Sequence, residues 1–156
     1  MARKDYYYNE NAPKVNSIVA AASAILTNNN GEVLLHRRTD NNQWSLIGGG
    51  MDYGESISQT IIREVKEETG FDATIEKLIG IYSNPNHVIE YTNGEVRQQF
   101  SICFHCKIVS GNLTISSESH ELKFFTQEEI YNLQIHPSQK IRIEDYFSKQ
   151  DKAYIR

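Results

Sequence analysis

GGGMDYGESISQTIIREVKEETGF, residues 48–71, begins with glycine and ends in a helical pattern. Gly48, Gly49 and Gly50 carry no side chains and let backbone approach a ligand closely. From Ser56 the spacing changes. Ser56 and Gln59 have the form of a capping box, Ile57, Ile61, Ile62 and Val65 recur along one helical face, and Gly70 stands where a C-cap is wanted. The helix carries Glu64, Glu67 and Glu68, which at about 100° per residue share an arc of roughly 100°. Gln59, Arg63 and Lys66 lie farther round. Like charges at this spacing cost about 0.2 to 0.5 kcal/mol per pair, and acids in the last turn oppose the helix dipole. A hard dication such as Mg²⁺ or Mn²⁺ reverses that sign. On charge alone the helix reads equally as a solvated acidic face.

On the N-terminal side, Ser17 to Leu26 reads as a mostly buried strand, Asn28-Asn29-Asn30-Gly31 as a turn, and Glu32 to Arg38 as the second arm of a hairpin. Thr39 to Gln43 reads as a loop, and Trp44 to Ile47 is a short strand running into the glycines. On the C-terminal side, strands are expected at Ala73 to Tyr82, His87 to Tyr91, Gln98 to Val109 and Leu122 to Phe125. Thr92-Asn93-Gly94 and Ser110-Gly111-Asn112 are turns, Thr126 with Glu129 caps a short helix, and Pro137 opens an amphipathic segment bearing Ile141, Ile143, Tyr146 and Phe147. The fold class is α+β, without regular βαβ alternation. Neither G-x-G-x-x-G nor G-x-x-x-x-G-K-[ST] occurs.

The chain has 156 residues, which at roughly 150 per domain predicts one unit, with residues 1–16 as an extended N-terminal arm. Sixteen Lys and Arg against twenty Asp and Glu give a net charge of -4, which disfavours a nucleic-acid polymer as partner. The most apolar run, Ile18 to Leu26, is too short to cross a bilayer, and the first residues lack the apolar core of a secretory signal, so a cytoplasmic location is expected. Cys103 and Cys106 lie in a strand at odd spacing, on opposite faces, and are read as packing residues of a half-buried strand.

Gly49, five residues, Glu55, seven residues, and then Arg63-Glu64-Val65-Lys66-Glu67-Glu68-Thr69-Gly70-Phe71 resembles the complete Nudix box. Seven identities and two apolar positions arise by chance in a chain this size less than about once in a million at average composition. The flanking strand order is also similar to the Nudix fold, a mixed β-sheet sandwiched between α-helices. The resemblance implies a single Nudix hydrolase domain over residues 1–156 that cuts a phosphoanhydride in a nucleoside diphosphate linked to another moiety, with Mg²⁺ as cofactor or Mn²⁺ in its place. By that likeness Glu64, Glu67 and Glu68 are metal ligands, with the Gly49 carbonyl beside them, and Glu64 activates water. By the same likeness Arg63 and Glu55 are the pair that orients the helix. Glu118 and Glu121, before the last long strand, are candidates for a fourth ligand or a base. Two positions depart from the commoner family pattern, Ile47 where proline is usual and Asp52 where glutamate is.

Substrate choice falls outside the box. Arg37 and Arg38 alternate, so one of them at most reaches the cleft, while Trp44 is either structural or a stacking plane. Pro85 lies about where family members acting on ADP-ribose carry a proline, and is also a plain turn residue. The reading leans to ADP-ribose or another nucleoside-diphosphate sugar. The alternatives are normal or oxidised nucleoside triphosphates, then dinucleoside polyphosphates, a non-catalytic nucleotide sensor, and a diphosphate isomerase. The expected partner is a small nucleotide. A homodimer and the role of Tyr6, Tyr7 and Tyr8 stay open.

Overall fold

The apolar run after Ser17 becomes β2 (Ala20–Thr27), buried along nearly its whole length at the middle of a mixed sheet. The computed structural model describes residues 2–156. On one side β2 runs parallel to β9 (Phe100–Gly111), from Ala20 opposite Phe100 to Thr27 opposite Lys107. β9 in turn pairs antiparallel with β6 (Phe71–Tyr82), whose far edge takes the short parallel β11 (Tyr154–Ile155). On the other side, the expected hairpin with β3 (Val33–Arg38) exists only at its tip, where Thr27 faces Val33. Beyond it the two strands part, and the segment expected as one strand fills the gap as two. β4 (Trp44–Ser45) pairs with β3, and β5 (Ile47–Gly50) pairs with β2, so Leu46 is the crossing point. β10 (Ser119–Phe125) covers the outer edge of β3 and starts three residues earlier than its apolar pattern suggested.

Alternation along these strands fills two cores. Ala22, Ala24, Leu26, Ile47, Phe104 and Cys106 face α1 (Ile57–Thr69) through Ile61 and Val65. Ile25, Leu35, Ile79, Tyr82, Cys103 and Phe125 face α2 (Gln127–Ile130) and α3 (Pro137–Phe147) through Ile130 and Ile143. The two cysteines do lie on opposite faces. From Ser101 to Cys106 β9 is covered on both of them rather than half-buried, because helices close both sides there. Burial pushes the thiols up to about 11 and about 12, so neither is a ready nucleophile.

A second, three-stranded sheet is built from β1 (Arg3–Tyr7), β7 (His87–Tyr91) and β8 (Val96–Gln98). The expected N-terminal arm is therefore paired along residues 3–7, with Tyr6 buried and the Tyr7 ring edge-on to His87 and His136. Among the described residues no helix is long and apolar enough to cross a membrane.

Candidate active site

α1 is held at both ends by the groups its sequence announces. Ser56 Oγ accepts from the Gln59 N–H, Gln59 Oε1 accepts from the Ser56 N–H, and Gly70 at φ +79° donates its N–H to the Lys66 carbonyl. Lys66 Nζ reaches the Gly70 carbonyl, placing a cation at the negative end of the helix. Within this frame the three acids grade from open to closed. The Glu67 side chain is 59% exposed, Glu64 14%, and Glu68 is buried.

Arg63 binds the acids from a different arc of the helix, because its long side chain curls back over them. Its guanidinium donates to both Glu55 oxygens, to Glu64 Oε1 (2.9 Å), to Glu67 Oε2 (3.1 Å) and to the Gly50 carbonyl (3.1 Å). Glu55 also accepts from the Thr60 hydroxyl and the Asp52 N–H. Those bonds, led by Arg63, hold its carboxyl down at about 2. Asp52 thus retains a place in the loop through its backbone, with its own carboxylate 3.5 Å from Arg63.

The glycines of β5 meet these acids at contact distance. The Gly48 N–H donates to Glu68 Oε2 at 3.0 Å. A methyl group on Gly49 would lie 2.4 Å from Glu64 Oε1, so the carboxylate occupies the space a side chain would need. Desolvation raises Glu64, and it raises Glu68 well above the usual carboxylate range, with the neighbouring Glu64 and Glu118 charges adding to the effect. Glu68 is a buried acid whose charged form needs a cation. Arg63 engages one oxygen each of Glu64 and Glu67 and leaves their others free. An all-oxygen set of converging carboxylates, with a backbone cradle that excludes a side chain, fits a hard divalent cation.

The remaining expected residues fall into two groups. Glu118 is exposed but close enough for its charge to act on Glu64 and Glu68. Glu121 is not brought to the cluster. It lies within β10 opposite Arg37 and pairs with it at 3.6 Å, because the strand begins before it. Arg37 is accordingly turned away, while Arg38, bonded to Asp40, lines a cavity of about 110 Å³ that opens beside Gly48, Gly49 and Gly50. Trp44 borders this cavity but packs edge-on against Phe125, 4.8 Å between centroids, as part of the core rim. Pro85 is an exposed turn residue outside the cavity.

The spacing of residues gave no sign of the other cavity walls. Asp5 from β1, His87 from β7 and His136 at the start of α3 place ligand atoms within 4.8 Å of one another. Arg3, Arg97 and Arg142 join them. They come from separate elements, and the signals at hand, the Tyr-rich start and the His136-Pro137 helix entry, say nothing of a shared wall.

A family model described as the NUDIX domain matches residues 18–146. The chain is 32% identical over 101 residues to a Methanocaldococcus jannaschii protein named ADP-ribose pyrophosphatase, covering 60% of this chain and 53% of that one. Over 53 residues it is 43% identical to a Bacillus subtilis protein named putative 8-oxo-dGTP diphosphatase, covering 34% of this chain and 36% of that one. The chain thus spans about half the length, or less, of these relatives. A crystal structure of a NUDIX hydrolase from Nitrosomonas europaea superposes with a TM-score of 0.73 at 22% identity, over 91% of this chain and 79% of that one, a likeness of fold.

Proposed function

The chain belongs to the NUDIX domain family, and from that premise we propose that it is a divalent-metal-dependent pyrophosphohydrolase cutting a nucleoside diphosphate linked to another moiety, preferentially ADP-ribose or another nucleoside-diphosphate sugar. The observation that supports it most is the pressing of Glu64 and buried Glu68 against the side-chain-free backbone of Gly48 and Gly49. Glu64, Glu67, Glu68 and the Gly49 carbonyl would hold Mg²⁺, with Glu118, whose charge acts on Glu64 and Glu68, as the candidate further ligand. The ion supplies Lewis acidity at the bridging phosphates and a lowered pKa for bound water. The protein's own part is to orient and to move a proton. Arg63 and Glu55 fix the rotation of α1 and pin Glu64 Oε1. Glu64 would take the proton from the attacking water.

The ADP-ribose preference draws on the name of the archaeal relative. Nucleoside triphosphates are the second reading, favoured by the Bacillus relative, whose matched 53 residues are the more similar ones. The test is a panel of nucleoside-diphosphate sugars, triphosphates and dinucleoside polyphosphates, with Mg²⁺ or chelator, in ¹⁸O-labelled water, products read by mass. The proposal expects chelator-sensitive release of a nucleoside monophosphate from ADP-ribose, with one ¹⁸O gained. Pyrophosphate release from triphosphates alone supports the second reading, and binding without turnover contradicts both.

A further inference from the structure

The cavity beside β5 lies across the sheet from the carboxylates. Its floor is Arg142 of α3, whose guanidinium sits by Ser23, the residue opposite Gly48, on the face that Ile25 and Cys103 share. Arg142 is 3% exposed. Its Nη1 has one long hydrogen bond, 3.4 Å to Ser23 Oγ, and its Nε has no partner. Among the described residues no carboxylate pairs with it. Asp145, one turn along the same helix, is taken by Arg156 (2.9 and 3.0 Å) and by the Tyr82 hydroxyl (2.8 Å). The Tyr82 ring lies under the guanidinium at 5.2 Å, and Tyr82 and Cys103 beside it stay uncharged at neutral pH, since burial pushes both up. The other guanidiniums of the cavity have carboxylates, Arg3 with Asp5, Arg38 with Asp40 and Arg97 with Glu95. A buried cation without a counterion costs several kcal/mol unless something supplies the charge.

We propose that Arg142 anchors a phosphoryl-binding subsite in this cavity, and that the substrate places there a phosphoryl group beyond the two phosphates joined by the bond to be cut. Ser23, Ser138 and Gln139 line the same space with neutral polar groups, and α3 directs its positive end toward it. A dianion suits such walls better than a carboxylate, because a guanidinium presents forked donors to several oxygens at once. The triad of Asp5, His87 and His136 does not make the cavity a cation site. Arg3 is 3.3 Å from Asp5, and the positive charges of Arg3 and Arg142 act on His136. Assigning the phosphoryl group to the substrate rests on the pyrophosphohydrolase reading. Binding of phosphate itself does not.

The test is thermal denaturation of the full chain in chelator, with inorganic phosphate titrated against acetate at equal ionic strength. Phosphate is expected to raise the wild-type midpoint saturably and acetate to leave it unchanged. Arg142→Met is expected to lose the phosphate response, and Arg142→Lys to need at least tenfold more phosphate for the same shift. Glu67→Gln is expected to keep the full response, so failure of the hydrolase reading leaves this result standing. The proposal is overturned if phosphate stabilises no more than acetate, or if Arg142→Met responds like the wild type. Should Arg142→Met not fold, an unchanged phosphate requirement in Arg142→Lys overturns it. It is also overturned if Zn²⁺, added without chelator, stabilises the wild type and Arg142→Met but not His136→Ala, which would mark a cation site. For the substrate assignment, ADP-ribose carrying a further phosphate on its terminal ribose is expected to have a KM at least tenfold below that of ADP-ribose, a difference abolished in Arg142→Met. Equal KM values in the wild type overturn that part.

Discussion

Arg63 holds together groups that repel each other. It ties Glu55, Glu64, Glu67 and the Gly50 carbonyl into one network, so the crowding of acids on α1 is partly offset before any ion binds. In the proposed mechanism the proton-accepting role falls on Glu64, and the accessible ligand role on Glu67. Glu64→Gln preserves shape and hydrogen bonding to Arg63 while removing the base, and is expected to lower kcat by roughly 10²-fold or more with the melting midpoint within a few degrees of wild type. Glu67→Gln is expected to raise the Mg²⁺ concentration needed for half-maximal rate. Steady-state rates across a Mg²⁺ series check both, and wild-type rates in either variant contradict the assigned roles.

At the scale of elements, β5 separates two requirements that a row of three glycines conceals. A side chain on Gly48 would strike the backbone carbonyl of Ala22 at 2.2 Å, whereas the nearest atoms to one on Gly49 are those of the Glu64 carboxylate, the far end of a side chain. Gly48→Ala is therefore expected to destabilise the fold by about 1 to 3 kcal/mol, and Gly49→Ala to leave stability nearly unchanged while cutting turnover at least tenfold. Denaturant unfolding beside activity checks the contrast, and similar losses of stability in the two variants contradict it. This part of the molecule was legible in the sequence because its signals are local: Ser56 with Gln59, the isoleucine spacing, and Gly70 each act within one or two turns. The β2 and β3 hairpin was only half legible, since turn residues fix the tip at Thr27 and Val33 but say nothing of β4 and β5 entering farther down. α3 conceals its cavity-facing side for a different reason. Its amphipathic pattern rests on the apolar Ile141, Ile143, Tyr146 and Phe147, whereas Ser138, Arg142 and Asp145, polar residues at helical spacing, are buried too.

Over the whole molecule, two helical layers close one mixed sheet, and the small β1, β7, β8 sheet contributes Arg3, Asp5, His87 and Arg97 to the cavity wall. No pattern within β1 announces a long-range pairing with β7, so this wall was illegible until the chain was folded. Elsewhere, β10 lying along β3 buries His36 against Ser119, at 2.7 Å, and desolvation, with the Arg38 charge, lowers its pKa to about 4. The unfolded chain takes up that proton near 6.5 and the folded protein only near 4. The folded state thus binds fewer protons in this window, and the contribution, on the order of 3 kcal/mol, is present above about pH 6.5 and lost as pH falls to about 4. His36→Gln is expected to flatten the fall in stability between those values, measured by urea unfolding across pH. An unchanged slope contradicts the assignment to His36.

Divalent ions are expected to occupy the carboxylates of α1 against the glycine backbone of β5, and anomalous scattering from crystals soaked in Mn²⁺ reads this out without any assumption about substrate. The expected map has its strongest peak within coordination distance of Glu64, Glu67, Glu68 and the Gly49 carbonyl. A map with those side chains bare and the ion lodged at Asp5, His87 and His136 would contradict it.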